Sequence, residues 1–210
     1  MDADQQTREN PFGMDEDCRN CPELCATRER VVHGYGDVGA DFLFVGEMPG
    51  EGADRTGVPF TGDAAGERFQ DVLGHLGLNN SLPDSDEPEL DNVFVTYLTR
   101  CRDPERPPTD EEVDTCEPYL NAEIRMINPE IIVPVGQRAL AELAREYTTT
   151  DAGEFDVVED HATTIRGRGF ELVPMVHPAN LGDEQAEAFV QHFLDLMDRD
   201  YRQTKGRRSR

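Results

Sequence analysis

The chain has 210 residues, enough for one domain with an ordinary hydrophobic core and no need of disulfides. Its 44 acidic against 20 basic residues give a formal net charge of -24, and the polar, acidic start MDADQQTREN is not that of a signal peptide. No apolar run reaches the roughly 18 residues of a membrane span, so the expectation is a cytoplasmic protein with no membrane partner.

Taken in chain order, residues 1–17 read as a flexible acidic leader, 18–200 as one domain and 201–210, ending in KGRRSR, as a basic tail. Residues 18–40 hold a group of cysteines and the turn GYGDVGAD, with Val31 and Val32 as a possible short strand ahead of it. The first clear strand, FLFVG, runs straight into EMPGEGADRTGVPFTGDAAG, a glycine- and proline-rich loop. Loops at the carboxyl ends of strands in open α/β sheets are where such folds bind ligands, and glycine lets backbone N–H groups come close to a ligand. Glu47 is an acid at the tip of this loop, and Phe60 is an aromatic between Pro59 and Gly62. The loop lacks the Gly-Lys-Ser/Thr ending of a P-loop and the glycine spacing of a dinucleotide fold. One acid, one aromatic and many accessible amides suit a flat, polar, neutral ring better than a triphosphate.

Further along, residues 64–78 carry Phe69, Val72, Leu73 and Leu76 at helical spacing, and 79–92 form an acidic loop. A second strand, VFVTYL, follows over 93–98. Thr109 and Glu112 make a capping box for a helix to about Ile127, with Val113, Leu120, Ile124 and Ile127 inward. Residues 131–135 are a continuous β-branched run of the kind buried in parallel sheets. A helix over 136–147, a weak hairpin over 155–168 and a strand over 170–176 come next. Asp183 is expected to cap a last amphipathic helix through about Asp198. This alternation predicts an α/β three-layer sandwich, with a central, mainly parallel four-stranded sheet flanked by helices. The strand ends at Gly46, Leu98 and Val176 converge on one edge, the expected site.

Lys205 is the only lysine, so an evenly spread acidic excess is matched almost entirely by arginine. Such a surface stays hydrated while salt screens its self-repulsion, as in proteins of salt-loving organisms. The charge argues against nucleic acid at low salt but not in molar salt, where phosphate–arginine attraction contributes little. Cys18 and Cys21 form a C-x-x-C; Cys25, Cys101 and Cys116 are scattered. A disulfide framework does not suit a cytosolic chain. A zinc ribbon wants a second C-x-x-C, whereas irregular spacing suits a [4Fe–4S] cluster. Spacing alone leaves iron–sulfur, zinc and unliganded cysteines open.

Together, CRNC-PELC-ATRERVVHGYGD, VGEMPGEGADRTGVPFTGDAAG, VFVTYLTRCR, PEIIVPVG and VPMVHPANL resemble the iron–sulfur uracil-DNA glycosylases of the family 4 branch, over roughly residues 18 to 196, with a haloarchaeal cast of composition. The resemblance implies a DNA repair enzyme, a monomer acting on uracil-containing single- or double-stranded DNA, that hydrolyses the N-glycosidic bond and leaves an abasic site. It implies a structural [4Fe–4S] cluster on Cys18, Cys21, Cys101 and Cys116, with Cys25 left over or replacing Cys21. It assigns His177 as a donor to uracil O2 and Glu47 to positioning water or stabilising the sugar cation. Phe60 would stack on the base, and the amides around Gly46, Met48 and Gly50 would bind the base or the adjacent phosphate.

Thr96-Tyr97 stands where the family usually carries Thr-Asn, the Asn reading the O4/N3 edge of uracil. A tyrosine offers one rotatable hydroxyl on a bulky ring in place of an amide that donates and accepts at once. RDPERPP also departs from the usual run after Cys101, and Asn180 stands where a tyrosine is common, in a segment, HPANL, that would insert into DNA. Tyr97 therefore keeps two rivals in view: a glycosylase for another damaged base, and a catalytically silent iron–sulfur DNA-binding module.

Overall fold

The computed structural model describes residues 7–199 and Tyr201. The expected tail 201–210 therefore lies, apart from Tyr201, outside the described residues. The elements are α1 (Pro22–Thr27), β1 (Tyr35–Gly36), β2 (Phe42–Gly46), α2 (Glu51–Thr56), α3 (Ala64–His75), β3 (Val93–Tyr97), α4 (Asp110–Ile127), β4 (Ile131–Pro134), α5 (Gln137–Tyr147), β5 (Ile165–Arg166), β6 (Glu171–Leu172) and α6 (Asp183–Met197). Short 3-10 turns sit at Ala152–Glu154 and Pro178–Asn180.

The sheet has six strands in the order β1-β3-β2-β4-β6-β5, not the expected four. Its four central strands are mutually parallel, and each edge strand, β1 and β5, runs antiparallel to its neighbour. The two edges are two-residue strands, too short to leave an alternating apolar trace in the sequence. The expected strand over 170–176 shrinks to β6, because Pro174 has no N–H to give to a ladder; one further bridge, Val135 to Met175, carries the pairing onward. The expected strand at Val31–Val32 is displaced to Tyr35–Gly36.

Side chains alternate across the sheet with period two. Phe42 and Phe44 of β2 join Phe69 and Leu73 of α3 and Phe189 and Phe193 of α6 on one face. Leu43 and Val45 join Leu120 and Ile124 of α4 and Leu143 of α5 on the other. Helices therefore cover both faces, and the continuous apolar runs of β2 and β4 are what two-sided burial requires. The capping box at Thr109 and Glu112 forms as expected. Asp183 does not cap α6: the N-cap is Gly182, whose N–H donates to Gln185 Oε1.

The reading of 1–17 as a flexible leader does not hold for residues 7–17. Phe12 and Met14 are buried in the second core, with Phe12 5.7 Å from the Phe94 ring, and Glu9 bridges to Tyr35 of β1. Two apolar residues among acids gave no periodicity from which this could be read.

A buried polar knot fixes the end of β3. Arg100 and Glu123, each 1% exposed, pair at 2.6 Å; Glu123 also accepts from the Thr96 hydroxyl (2.7 Å) and the Gly34 N–H (3.1 Å). Arg100 donates to the Tyr97 carbonyl at 2.6 Å and to the Thr96 hydroxyl. These bonds lock the backbone just before the cysteine at 101.

Candidate active site

The parallel pairing of β2 and β3 sets Gly46 opposite Tyr97. Beyond those strand ends, together with the segment after Val176, lies a cavity of about 240 Å³. Its lining includes Glu47, Met48, Gly50, Phe60, Tyr97 and His177. So the convergence expected from the strand ends is realised. Gly46 sits behind the wall: a Cβ there would come within 2.8 Å of both the Phe60 and Tyr97 rings, which explains the glycine. Asn180 is exposed at the end of its 3-10 turn and does not line the cavity; its N–H donates to the His177 carbonyl.

His177 is positioned by two elements. Val176 N–H donates to His161 Nδ1 at 3.1 Å, and His161 Nε2 lies 2.9 Å from the Gln185 carbonyl of α6, while Gly136, the N-cap of α5 at φ +94, donates its N–H to the Met175 carbonyl at 2.8 Å on the same segment. The His177 Nδ1 accepts from Ala179 N–H at 3.2 Å, so in the neutral ring the proton sits on Nε2. Burial pushes the His177 pKa below its ordinary value, against a smaller opposing effect of Asp63, so the ring is neutral at pH 7.

Glu47 follows β2 directly and is partly buried. Burial raises its carboxyl pKa, with the Arg138 guanidinium pulling the other way. If the Glu47 carboxylate serves the reaction, activity falls as pH drops through a pKa above the ordinary carboxylate value. The expected result is an acidic limb in the single-turnover rate at a higher pH than an exposed glutamate would give. Glu47→Gln should lose that limb along with most of the rate. A limb unchanged in Glu47→Gln would assign it elsewhere.

Phe60 adopts φ +55, a left-handed conformation rare for a non-glycine residue. It is held there from both ends: its N–H donates to the Tyr97 hydroxyl at 2.8 Å and its carbonyl accepts from Gln70 Nε2 at 3.1 Å. Its ring stacks on Phe69 at 4.1 Å and 19° and packs on Tyr97 at 4.7 Å and 34°.

Asp63 and Arg102 also line the cavity and were not singled out from the sequence. Asp63 caps α3 through Gly66 N–H (2.8 Å) and accepts from Gly52 N–H (3.0 Å), which seals the loop; an acid just before a helical run is a cap signal that the sequence does contain. Arg102 is the one arginine in the lining, next to Cys101, and no local pattern announces it.

The Cys18, Cys101 and Cys116 thiols lie close enough to Cys21 to oppose its ionisation. Burial pushes Cys21 up to about 12 and Cys101 up to about 11, and the neighbouring cysteines add to both shifts. Burial raises Cys116 as well, and Cys18 adds to it. Arg28 Nη1 donates to Cys101 Sγ at 2.9 Å. Cys25 stands apart, its Sγ donating to the Cys18 carbonyl at 3.7 Å. Among the described residues, no group of three or more His, Cys, Asp or Glu could hold a single metal ion. Four neighbouring soft donors still fit an iron–sulfur cluster, whose irons supply the positive charge that thiolates need.

The family profile of the uracil DNA glycosylase superfamily matches residues 33–198. The chain is 34% identical over 173 residues to the Type-4 uracil-DNA glycosylase of Sulfurisphaera tokodaii, covering 77% of this chain and 70% of that protein. To the Type-4 uracil-DNA glycosylase of Archaeoglobus fulgidus it is 33% identical over 167 residues, 77% of this chain and 76% of the other. The Type-5 uracil-DNA glycosylase of Thermus thermophilus is 38% identical over 152 residues, 62% of this chain and 68% of its own. With that family match spanning most of the chain, and a cavity at the strand ends lined by the residues the motifs pointed to, this chain belongs to the uracil DNA glycosylase superfamily.

Proposed function

We propose that this chain hydrolyses the N-glycosidic bond between uracil and deoxyribose in DNA, leaving an abasic site. The observation that carries this reading is one cavity lined by both a partly buried carboxylate, Glu47, and a neutral His177 with its proton on Nε2. The names of the relatives support it. The target nucleotide leaves the stack and enters the cavity. As the bond breaks, negative charge grows on the uracil carbonyls and positive charge on the sugar. His177 Nε2–H donates to the developing charge at O2, an interaction strengthened only in the transition state. Glu47 faces the sugar, stabilising its cationic character and orienting the attacking water. The backbone around Gly46, Met48 and Gly50 supplies amides to the base or the adjacent phosphate, and Asn180 at the turn's exposed end meets the DNA.

The same proposal includes a [4Fe–4S] cluster on Cys18, Cys21, Cys101 and Cys116, with Cys25 outside the ligand set. When bound, the cluster supplies structural iron–thiolate bonds that join the segment before α1, the end of β3 and α4. The glycosylase domain spans 18–200, with the packed segment 7–17 added to it and a basic tail at 201–210. The protein acts as a cytoplasmic monomer on single- or double-stranded DNA, with a surface composition adapted to high salt as in haloarchaea. Tyr97 favours a second reading, a related glycosylase with a shifted base preference.

The test is release of free uracil, measured by chromatography, from duplexes carrying one U:G pair in molar potassium chloride. Stoichiometric release is expected. Intact duplex after prolonged incubation with folded protein would overturn the reading.

A further inference from the structure

Tyr97 is 3% exposed and its ring is pinned. Phe60 lies against Phe69 on one side and Tyr97 on the other, the latter two making no ring contact with each other among the described residues. Gly46 closes the remaining space, since even a Cβ would strike the Tyr97 ring. The ring therefore has no room to turn.

Its hydroxyl is pinned as well. The oxygen accepts from Phe60 N–H at 2.8 Å, and the Gly50 backbone N–H is directed at it as well. The hydroxyl proton has no acceptor among the described residues, although the side chain lines the cavity. A buried donor without an acceptor is costly unless a ligand supplies one. Burial also raises the phenol pKa well above its ordinary value, so the proton stays in place at any working pH.

We propose that Tyr97 is a specificity-determining residue that reads the flipped base by donation alone, giving its hydroxyl proton to the carbonyl at C4 of uracil. This rests on the glycosylase reading above and deepens it. With the Phe60 and Gly50 backbone amides both directed at the oxygen, its accepting capacity is taken up, and it cannot turn to accept from an amino group without leaving a buried amide unsatisfied. Cytosine presents an amino group at C4, so donor would face donor and the base is refused. The cavity then offers two neutral donors, Tyr97 Oη–H and His177 Nε2–H, to a ring that carries two carbonyl oxygens. An asparagine at this place would donate and accept through one amide; the tyrosine keeps only the donating half.

The experiment compares single-turnover excision of uracil with that of pyrimidin-2-one, which lacks the C4 carbonyl, by wild type and Tyr97→Phe. Wild type should prefer uracil. Tyr97→Phe should lower uracil excision by about 10- to 100-fold while leaving the analogue within about threefold, so that the preference collapses. Equal losses on both substrates would mean that the hydroxyl only supports Phe60, and would overturn the proposal; so would no loss on either. A measurement without a variant guards against misfolding of Tyr97→Phe: free uracil should inhibit wild type at least about tenfold more strongly than free pyrimidin-2-one. Equal inhibition would also overturn it. Failure of wild type to excise either base would remove the glycosylase reading itself, a result distinct from excision of both with no preference.

Discussion

Replacing His177 by alanine is expected to lower single-turnover uracil excision by about 100- to 1,000-fold, the usual loss for one donor aimed at charge that appears in the transition state. The ring is neutral because burial lowers its pKa, and its remaining proton sits on Nε2 because Nδ1 is occupied by Ala179 N–H. Removing it deletes a donor without deleting a core contact, so the melting temperature should barely move. His177→Gln, which keeps an N–H donor on a flexible stem, should recover part of the rate. A fall of less than about threefold in His177→Ala would place the stabilising donor elsewhere in the cavity.

The second large effect concerns stability. Glu123→Ala leaves Arg100, 1% exposed, as a buried cation whose carboxylate partner at 2.6 Å is gone. Breaking such a pair from one side costs about 3–5 kcal/mol, because the abandoned charge stays desolvated. For a chain of this size that corresponds to a drop in melting temperature of roughly 6–20 °C. The pair is buried, so molar salt should screen the loss much less than it would for an exposed pair. The variant should also loosen Tyr97, whose carbonyl accepts from Arg100 at 2.6 Å. A thermal melt within about 1 °C of wild type would contradict this account of the knot.

Legibility in the sequence followed the physics of each element. The runs FLFV, VFVTY and IIVP announced central strands because both faces are buried and no polar alternation was needed. The Thr109–Glu112 box announced α4 because two orphan amides are satisfied by residue types that seldom fall at that spacing by chance. By contrast, α1 and α2 are six residues each, too short for a helical period to show. Edge strands β1 and β5 are two residues each; β1 was read four residues early, and β5 showed only as part of the weak hairpin over 155–168. Of the candidate site, Glu47, Met48, Gly50, Phe60, Tyr97 and His177 were legible and line the cavity. What the sequence withheld was their mutual arrangement. Nothing in the letters shows that Tyr97 grips Phe60 N–H, that Phe60 lies between two rings, or that Arg102 turns into the cavity. Those facts depend on contacts between residues tens of positions apart.

The measurement closest to the central claim uses anaerobically purified protein in molar potassium chloride and an end-labelled single-stranded oligonucleotide carrying one uracil. Alkali after incubation cuts the strand wherever a base has been lost. The account predicts scission at the uracil position and none in a thymine control. An uncut strand, from protein that melts cooperatively and carries its full complement of iron, would contradict it.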